Sequence, residues 1–475
     1  MTDYTAVVHG TMIDGTGRPP VPDSVVLIKD KLVDAVGAAG EVEVPPDARV
    51  IDATDKTVMP GLIEAHAHVG GDTKAIQTLQ LSLQRGITTV CSVSANVSGI
   101  KLRDGINAGH ARGCARMIAG CIVTPTHGHV KFRTADGPWE VRKAVREMVM
   151  AGADFIKTAA SGGFWAADET CAVRNYTLEE LEALSDEAHA WHVPVVVHAH
   201  TDPGLANSIT AGIDQIHHGA FIGAEAVHGI KDRGLYFVPT LRVTSDRNIV
   251  AWPDRPWMME EMRQSQPIHR EGVRLAYEIG VSLCVGTDYP GSAHGWYVGD
   301  ATPFELQEFV ACGVSPMDAI VAATKTNAEA FRKQDKLGTL EAGKYADLLI
   351  VSGDPLDDIA ILYDQENIKL VMKEGKVESV DDDQNSRVAQ GGLQAHFLGG
   401  KNHQQGFARA LKMPDQAFTG IARQHTLHDQ IAAFVLLITT DDFVPPLLLV
   451  GGEDAEVGEY VEDDVGAQQR GDGSG

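Results

Sequence analysis

Positive charge is scarce in this sequence. The chain of 475 residues has 40 Lys and Arg against 65 Asp and Glu, a formal net charge of −25. Such a surface repels phosphate backbones and anionic lipid headgroups at long range, so neither nucleic acid nor membrane is expected as a partner. Long apolar runs are also missing. The longest, Ala432 to Thr439 and Val444 to Val450, fall far short of the roughly 20 residues that span a bilayer. The opening MTDYTAVVHG has no basic stretch feeding an apolar core, so export is not expected and a cytoplasmic setting fits. Cysteines number six (Cys91, Cys114, Cys121, Cys171, Cys284, Cys312) and never fall in a C-x-x-C pair. That spacing excludes a zinc knuckle and gives no disulfide frame; it predicts buried, reduced thiols.

What is present is enough apolar material, 44% of the chain, for a large core and a satellite module. VVLIKDKLVDAVG, Val25 to Gly37, reads as a hairpin in a β-rich opening segment. From about Thr88 to Asp288 short β-branched runs alternate with helical patterns, as repeated βαβ units require. Strands are expected near Leu62–Glu64, Thr88–Ser92, Arg116–Ala119, Asp154–Lys157, Val195–Val197, Gln215–Ile216, Tyr236–Val238 and Ser282–Val285. Thr177 with Glu180 predicts a capping box, and Ser315-Pro316 with Asp318 an N-cap followed by proline. Gly152, Gly212, Gly234 and Gly280 mark helix ends. After Leu337 the pattern returns to β, with Tyr345–Val351 and then Ile368–Val377 folded about Glu374-Gly375. The expected fold class is α/β, a (β/α)8 TIM-like barrel over residues 59–337 with a small composite β-sandwich from residues 1–58 and 338–380. Residues 381–475 form an extension of no assigned role whose last 25 or so residues have a disordered composition.

The strongest local signal is PGLIEAHAH. His66 and His68, two apart at a strand end, point to one side and can share a cation. A pair of surface histidines is the alternative. Further candidates stand at the ends of predicted strands, where barrel enzymes carry their chemistry: Lys157 ends DFIK, His198 ends VVVH, His218 ends QIHH and Asp288 ends LCVGTD. A lysine there is ordinarily a snorkelling surface group. Burial, however, would lower its pKa, and reaction with carbon dioxide would give a carbamate able to bridge two cations. Strand alternation lets only one of His217 and His218 face inward, and His218 is favoured as the ligand. His198 is favoured over His200, which shares its parity and is read as a supporting or core residue. In TPTHGH, His129 is a candidate to polarise a substrate carbonyl; a loop histidine without a role is the alternative.

These motifs, with SPMDAIVAATKTNAEAF, LGTLEAGKYADLLIVSGDPL and VMKEGKV, resemble the amidohydrolase superfamily, and within it the imidazolonepropionase-like, prolidase-like branch. The likeness runs to about Val377. It implies a distorted barrel beside a composite β-sandwich, with two divalent ions (Zn, Co or Mn) as cofactors. His66, His68 and Asp288 would hold one ion, His198 and His218 the other, and carboxylated Lys157 would bridge them. Asp288 would be the acid–base residue, and His129 matches the branch's loop histidine, although His127 replaces a glycine of that loop. Glu64 stands where many members have aspartate.

The function implied is hydrolysis of an amide-like C–N bond by metal-activated hydroxide, on a small-molecule substrate: a carbamate, thiocarbamate, urea or amide. The branch also contains dipeptidases. An apolar substrate would want aromatic walls, for which Phe164, Trp165, Trp252, Trp257 and Trp296 are candidates; packing is the alternative. A dipeptide would want a cation for its carboxylate, such as Arg174 or Arg242. Single-metal deamination is disfavoured by Lys157 and by HAHTDPG, which offers only Asp202 where a glutamate is needed. A non-catalytic scaffold is the third reading. Proteins of this type are commonly homo-oligomers.

Overall fold

The structure, a computed structural model, describes residues 4–380 apart from 72, 131, 290–295 and 297–298. The extension from residue 381 lies outside the described residues. Eight strands form one parallel sheet: β1 (Leu62–Ala67), β2 (Ile87–Ala95), β3 (Arg116–Thr124), β4 (Phe155–Ala159), β5 (Val195–Ala199), β6 (Gln215–His218), β7 (Tyr236–Val238) and β8 (Ser282–Leu283). Neighbours in sequence are neighbours in the sheet. Each connection crosses over, most of them through helices, as parallel pairing demands. The sheet curls until its edges meet. Ala65 donates its N–H to the Val285 oxygen at 3.1 Å, and His68 donates to the Tyr289 oxygen at 2.9 Å. This is the architecture of a TIM-like barrel.

Alternation along the strands sorts their side chains. Ile63, Cys91, Ile118, Phe155, Val196 and Val238 fill the barrel interior, while Leu62, Val90, Met117, Ile156, Val197 and Phe237 face the surrounding helices. The interior is tight. A Cβ on Gly120 would lie 2.0 Å from the Phe155 ring, so only glycine lets that ring fill the barrel floor. All six cysteines are buried and unpaired.

Helix boundaries follow their punctuation. Thr177 and Glu180 form the reciprocal capping box at the start of helix Leu178–Ala190, and Ser315 accepts the Asp318 N–H ahead of helix Pro316–Val321. Gly152 and Gly234 are left-handed C-caps, with φ of 95° and 64°. Gly212 and Gly280 also have positive φ, one residue beyond the caps Ala211 and Ile279.

A second sheet draws on both ends of the described chain. Its order is Lys376–Val380, Ile368–Lys373, Leu348–Ser352, Lys56–Pro60, Tyr4–Met12, Val21–Lys29 and Leu32–Ala38, with Arg49–Asp52 paired to Tyr4–Met12. The hairpin turns at Asp30, whose φ is 55°. Strand Lys56–Pro60 belongs to this sheet and leads straight into β1, so the register of the second sheet sets where the first barrel strand begins. Across the two sheets, buried Arg116 of β3 pairs with Asp347 at 2.6 Å and Glu374 at 2.9 Å. No helix among the described residues is long and apolar enough to cross a membrane.

Candidate metal centre and active site

At the C-terminal mouth of the barrel lies a cavity of about 520 Å³. His66, His68, His129, Lys157, His198, His218 and Asp288 all line it; His200 does too. Two groups of donor atoms cluster tightly enough to hold ions, His66 with His68 and Asp288, and His198 with His200 and His218. In the first, one oxygen of Asp288 lies 3.2 Å from His66 Nε2 and 2.9 Å from His68 Nε2. Burial alone would raise the Asp288 carboxyl, yet His66 and His68 hold it well below its usual range. Burial pushes the His66 imidazole down to about 3, and that of His198 and of His218 well below the ordinary value. These rings are therefore neutral at pH 7, the state in which a histidine can donate a lone pair to a metal.

Which nitrogen is available follows from what the other one bonds. Nδ1 of His218 lies 2.9 Å from Thr240 Oγ1, which leaves Nε2 for a ligand. Nε2 of His198 donates to the Gly162 carbonyl at 3.1 Å, which leaves Nδ1. His200 differs: its Nδ1 is the acceptor of a long bond from the Ala220 N–H, 3.4 Å, so the neutral ring carries its proton on Nε2.

Lys157 stands inside the barrel on β4, two residues beyond Phe155 and so on the same face. It is 4% exposed, and among the described residues its Nζ has no hydrogen-bond partner. Burial lowers the amine from 10.5 to about 7, against the pull of Asp288. An isolated ammonium in such a place would be costly. A neutral amine that reacts with carbon dioxide gains two oxygens with which to answer the neighbouring donors. Its surroundings thus fit a carboxylated lysine and a pair of divalent ions.

Several readings from sequence need correction. Alternation does not choose between His217 and His218. His217 faces inward by register beside His198, its Nδ1 2.6 Å from Nδ1 of His66. His218 also reaches the cavity, because its φ of 76° breaks the extended backbone at the strand end. Trp296 is buried against Phe304 and beneath Arg247 rather than in the cavity wall. Trp257 is 38% exposed and outside the cavity lining, whereas Phe164, Trp165 and Trp252 line it. Arg174 is exposed beside Ser161 at the base of a hairpin. Arg242 lines the cavity, but its guanidinium donates to Thr287 O, Asn248 Oδ1 and Asp288 O. Of the two loop histidines, His129 lines the cavity and His127 is exposed, with a φ of 60°.

Sequence reasoning gave no role to Glu169, Thr240 or Thr302. Glu169 accepts from the His129 ring at 2.7 Å. Thr302 donates to Glu64 at 2.6 Å, and Glu64 also accepts the N–H groups of His66 and Thr287. One buried carboxyl thus ties β1 to the Asp288 turn.

Histidines, an aspartate and a buried lysine gathered at the mouth of a parallel barrel define a class of barrel hydrolase. The chain belongs to the amidohydrolase family, which it matches over residues 57–377. It is accordingly an enzyme that hydrolyses C–N bonds. It is similar to ochratoxinase of Aspergillus niger, 27% identical over 429 residues that cover 78% of this chain and 86% of the relative. A Xaa-Pro dipeptidase crystallised with methionine in its active site superposes with a TM-score of 0.72 and 29% identity, over 79% of this chain and 99% of that one. Molinate hydrolase superposes with a TM-score of 0.66 and 25% identity, over 84% and 99%.

Proposed function

We propose that the enzyme hydrolyses an amide, carbamate, thiocarbamate or urea of a small and largely apolar molecule. The observation that carries this reading is Lys157, a buried amine without a hydrogen-bond partner among the described residues, which opens on the same cavity as both donor clusters. His66, His68 and Asp288 would hold one divalent ion, His198 and His218 the other, with carboxylated Lys157 between them. When bound, such ions supply Lewis acidity to the scissile carbonyl and make a nucleophile available near neutral pH.

The chain's own groups do the rest. Asp288 takes a proton from the attacking water at its carboxylate and passes it to the leaving nitrogen. His129, on the cavity wall, donates its Nδ1–H to Glu169, so its Nε2 is an acceptor and meets an N–H or O–H at the reacting centre, not the carbonyl oxygen expected from sequence. Phe164, Trp252, Met258 and Met262 keep water from the bond under attack and seat an apolar substituent. A dipeptidase is the second reading, favoured by the likeness to the Xaa-Pro dipeptidase. Against it stands the engagement of Arg242 with Thr287 O, Asn248 Oδ1 and Asp288 O, which takes three of its five N–H groups and leaves at most one on each of Nη1 and Nη2 for a substrate carboxylate.

Support for a composite β-sandwich comes from the second sheet, where Val7, Val26, Val58, Leu348, Ile350 and Leu370 bury one face against one another. The catalytic reading is tested by metal content per chain in wild type and Lys157→Ala, with dipeptides, N-acyl amino acids, phenylureas and thiocarbamates assayed alongside. Near two metals, lost with turnover in the variant, is the expected result. One metal and an indifferent variant would overturn the binuclear site.

A further inference from the structure

His129 is held from three sides. Its ring stacks on that of His198, centroids 3.9 Å apart and planes 16° from parallel. Its edge rests on Gly163, where an added Cβ would lie 2.6 Å from Cε1 and 2.9 Å from Nδ1. Its Nδ1 meets Glu169 Oε1 at 2.7 Å. The same oxygen accepts the Gly163 N–H at 3.0 Å, so one carboxylate fixes both the ring and the backbone it leans on.

A carboxylate only accepts, so the Glu169 contact places a proton on Nδ1 and leaves Nε2 as the ring atom with freedom to meet a substrate. Among the described residues Nε2 has no hydrogen-bond partner, while the ring lines the cavity. Glu169 itself is anchored. It lies on a hairpin whose base pairs Gly162 N–H with the Val173 carbonyl and Asn175 N–H with the Ala160 carbonyl. Near its tip, Cys171 donates its N–H to Glu261 at 3.0 Å and accepts from Thr201 at 2.6 Å. Phe164 and Trp165, which form part of the apolar wall, belong to the same hairpin.

We propose that Glu169 is a positioning residue for the reaction: it sets the tautomer and ring plane of His129 so that Nε2 is aimed at the substrate, and it couples that aim to the aromatic wall carried by the same hairpin. The proposal rests on the reading of His129 as the substrate-facing histidine. It requires no ion at Glu169 and no contact between Glu169 and substrate. Alanine at 169 would free the ring to rotate and to exchange tautomers. Glutamine would keep one acceptor oxygen in place for both N–H groups.

Two measurements test it on the metal-loaded full chain. In protein labelled with 15N-histidine, the His129 ring signals, assigned by their absence in His129→Ala, should show a single Nδ1-protonated tautomer in wild type and Glu169→Gln and an averaged pair in Glu169→Ala. Unchanged signals in the alanine variant overturn the proposal, whatever the substrate proves to be. Kinetics on the phenylurea, thiocarbamate or N-acyl amino acid turned over fastest should show kcat about 10–100-fold lower in Glu169→Ala, with KM and metal content near wild type. Glu169→Gln should recover most of that loss, and His129→Ala with Glu169→Ala should be no slower than His129→Ala alone. A further loss in the double variant, or loss of metal in Glu169→Ala, would show that Glu169 acts elsewhere and overturn the assignment. A panel without turnover would count against the proposed function and leave the nitrogen signals to decide on Glu169.

Discussion

The guanidinium of Arg242 donates to the main-chain oxygen of Asp288 at 2.8 Å and to that of Thr287 at 2.7 Å. Asp288 has a φ of 52°, a left-handed conformation uncommon outside glycine, although aspartate tolerates it better than most residues. Arg242 is buried, and its own backbone N–H is held by Glu305 at 2.7 Å. The corner after β7 thus grips the Asp288 turn through Arg242 and His218 through Thr240. Replacing Arg242 by Met leaves the Thr287 and Asp288 carbonyls without donors and Asn248 Oδ1 with only the Trp296 Nε1 bond, with an expected stability loss of about 2–4 kcal/mol in urea unfolding. Metal content should fall with it. Lysine cannot span acceptors arranged for a planar fork, so Arg242→Lys should restore little. Wild-type metal content and stability in both variants would refute this role.

Glu64 gives a pH dependence whose sign can be worked out. Burial raises its carboxyl to about 7, against hydrogen bonds from Thr302, His66 and Thr287. The unfolded chain releases that proton near the ordinary value of 4.5, so between pH 4.5 and 7 the folded state binds more protons. Stability contributed by Glu64 is therefore present below 4.5 and is lost as pH rises toward 7, by at most ~3 kcal/mol. Glutamine mimics the protonated acid and does not titrate. Urea unfolding of wild type and Glu64→Gln in chelator should give curves that diverge from pH 5 to pH 8, with the variant gaining. Parallel curves would show that the carboxyl titrates normally.

How far the residues announced themselves depends on which interaction places them. The strands around Val195–Ala199 and Phe155–Ala159 were legible because burial on both faces gives unbroken apolar runs, and the capping box at Thr177 because it is a local bond pattern. Lys157 could be found because it breaks such a run. The last strand was harder: expected over Ser282–Val285, it ends at Leu283, and Asp288 reaches the site only through a left-handed backbone. His218 escapes strand parity for the same reason. Glu169 had no signal at all, since its partner lies 40 residues away and only the folded hairpin brings them together.

Gly163 is the close approach on which the His129 ring depends. Its Cβ in an alanine variant would press on His129 at 2.6 Å and on His198 Cε1 at 3.2 Å. Gly163→Ala should fold, because the crowding falls on two side chains at the cavity and not on the barrel core. Turnover should drop about 100-fold as the ring is displaced. A crystal structure of the variant with His129 still on Glu169, together with full activity, would remove the basis for this expectation.

The aromatic wall separates the two substrate readings. Trp165 and Trp252 meet edge to face at 5.5 Å, and Arg255 lies 4.0 Å above the Trp165 ring. Trp252 is 3% exposed, so its removal would damage packing as well as binding. Trp165 is 49% exposed and lines the cavity, which makes it the cleaner probe. Trp165→Ala should lose about 1–2 kcal/mol in urea unfolding through its contacts with Trp252 and Arg255, too little to unfold the chain. For an N-aryl urea or carbamate the variant loses apolar area against the ring, and KM should rise on the order of tenfold. A dipeptide with small aliphatic side chains makes less use of that wall, and its KM should stay within about twofold. Selective loss on the aryl substrate would favour the urea and carbamate class. Equal KM values for every substrate in wild type and variant would mean that Trp165 serves the hairpin and not the pocket, and the apolar-substrate reading would then rest on Phe164 and Trp252 alone.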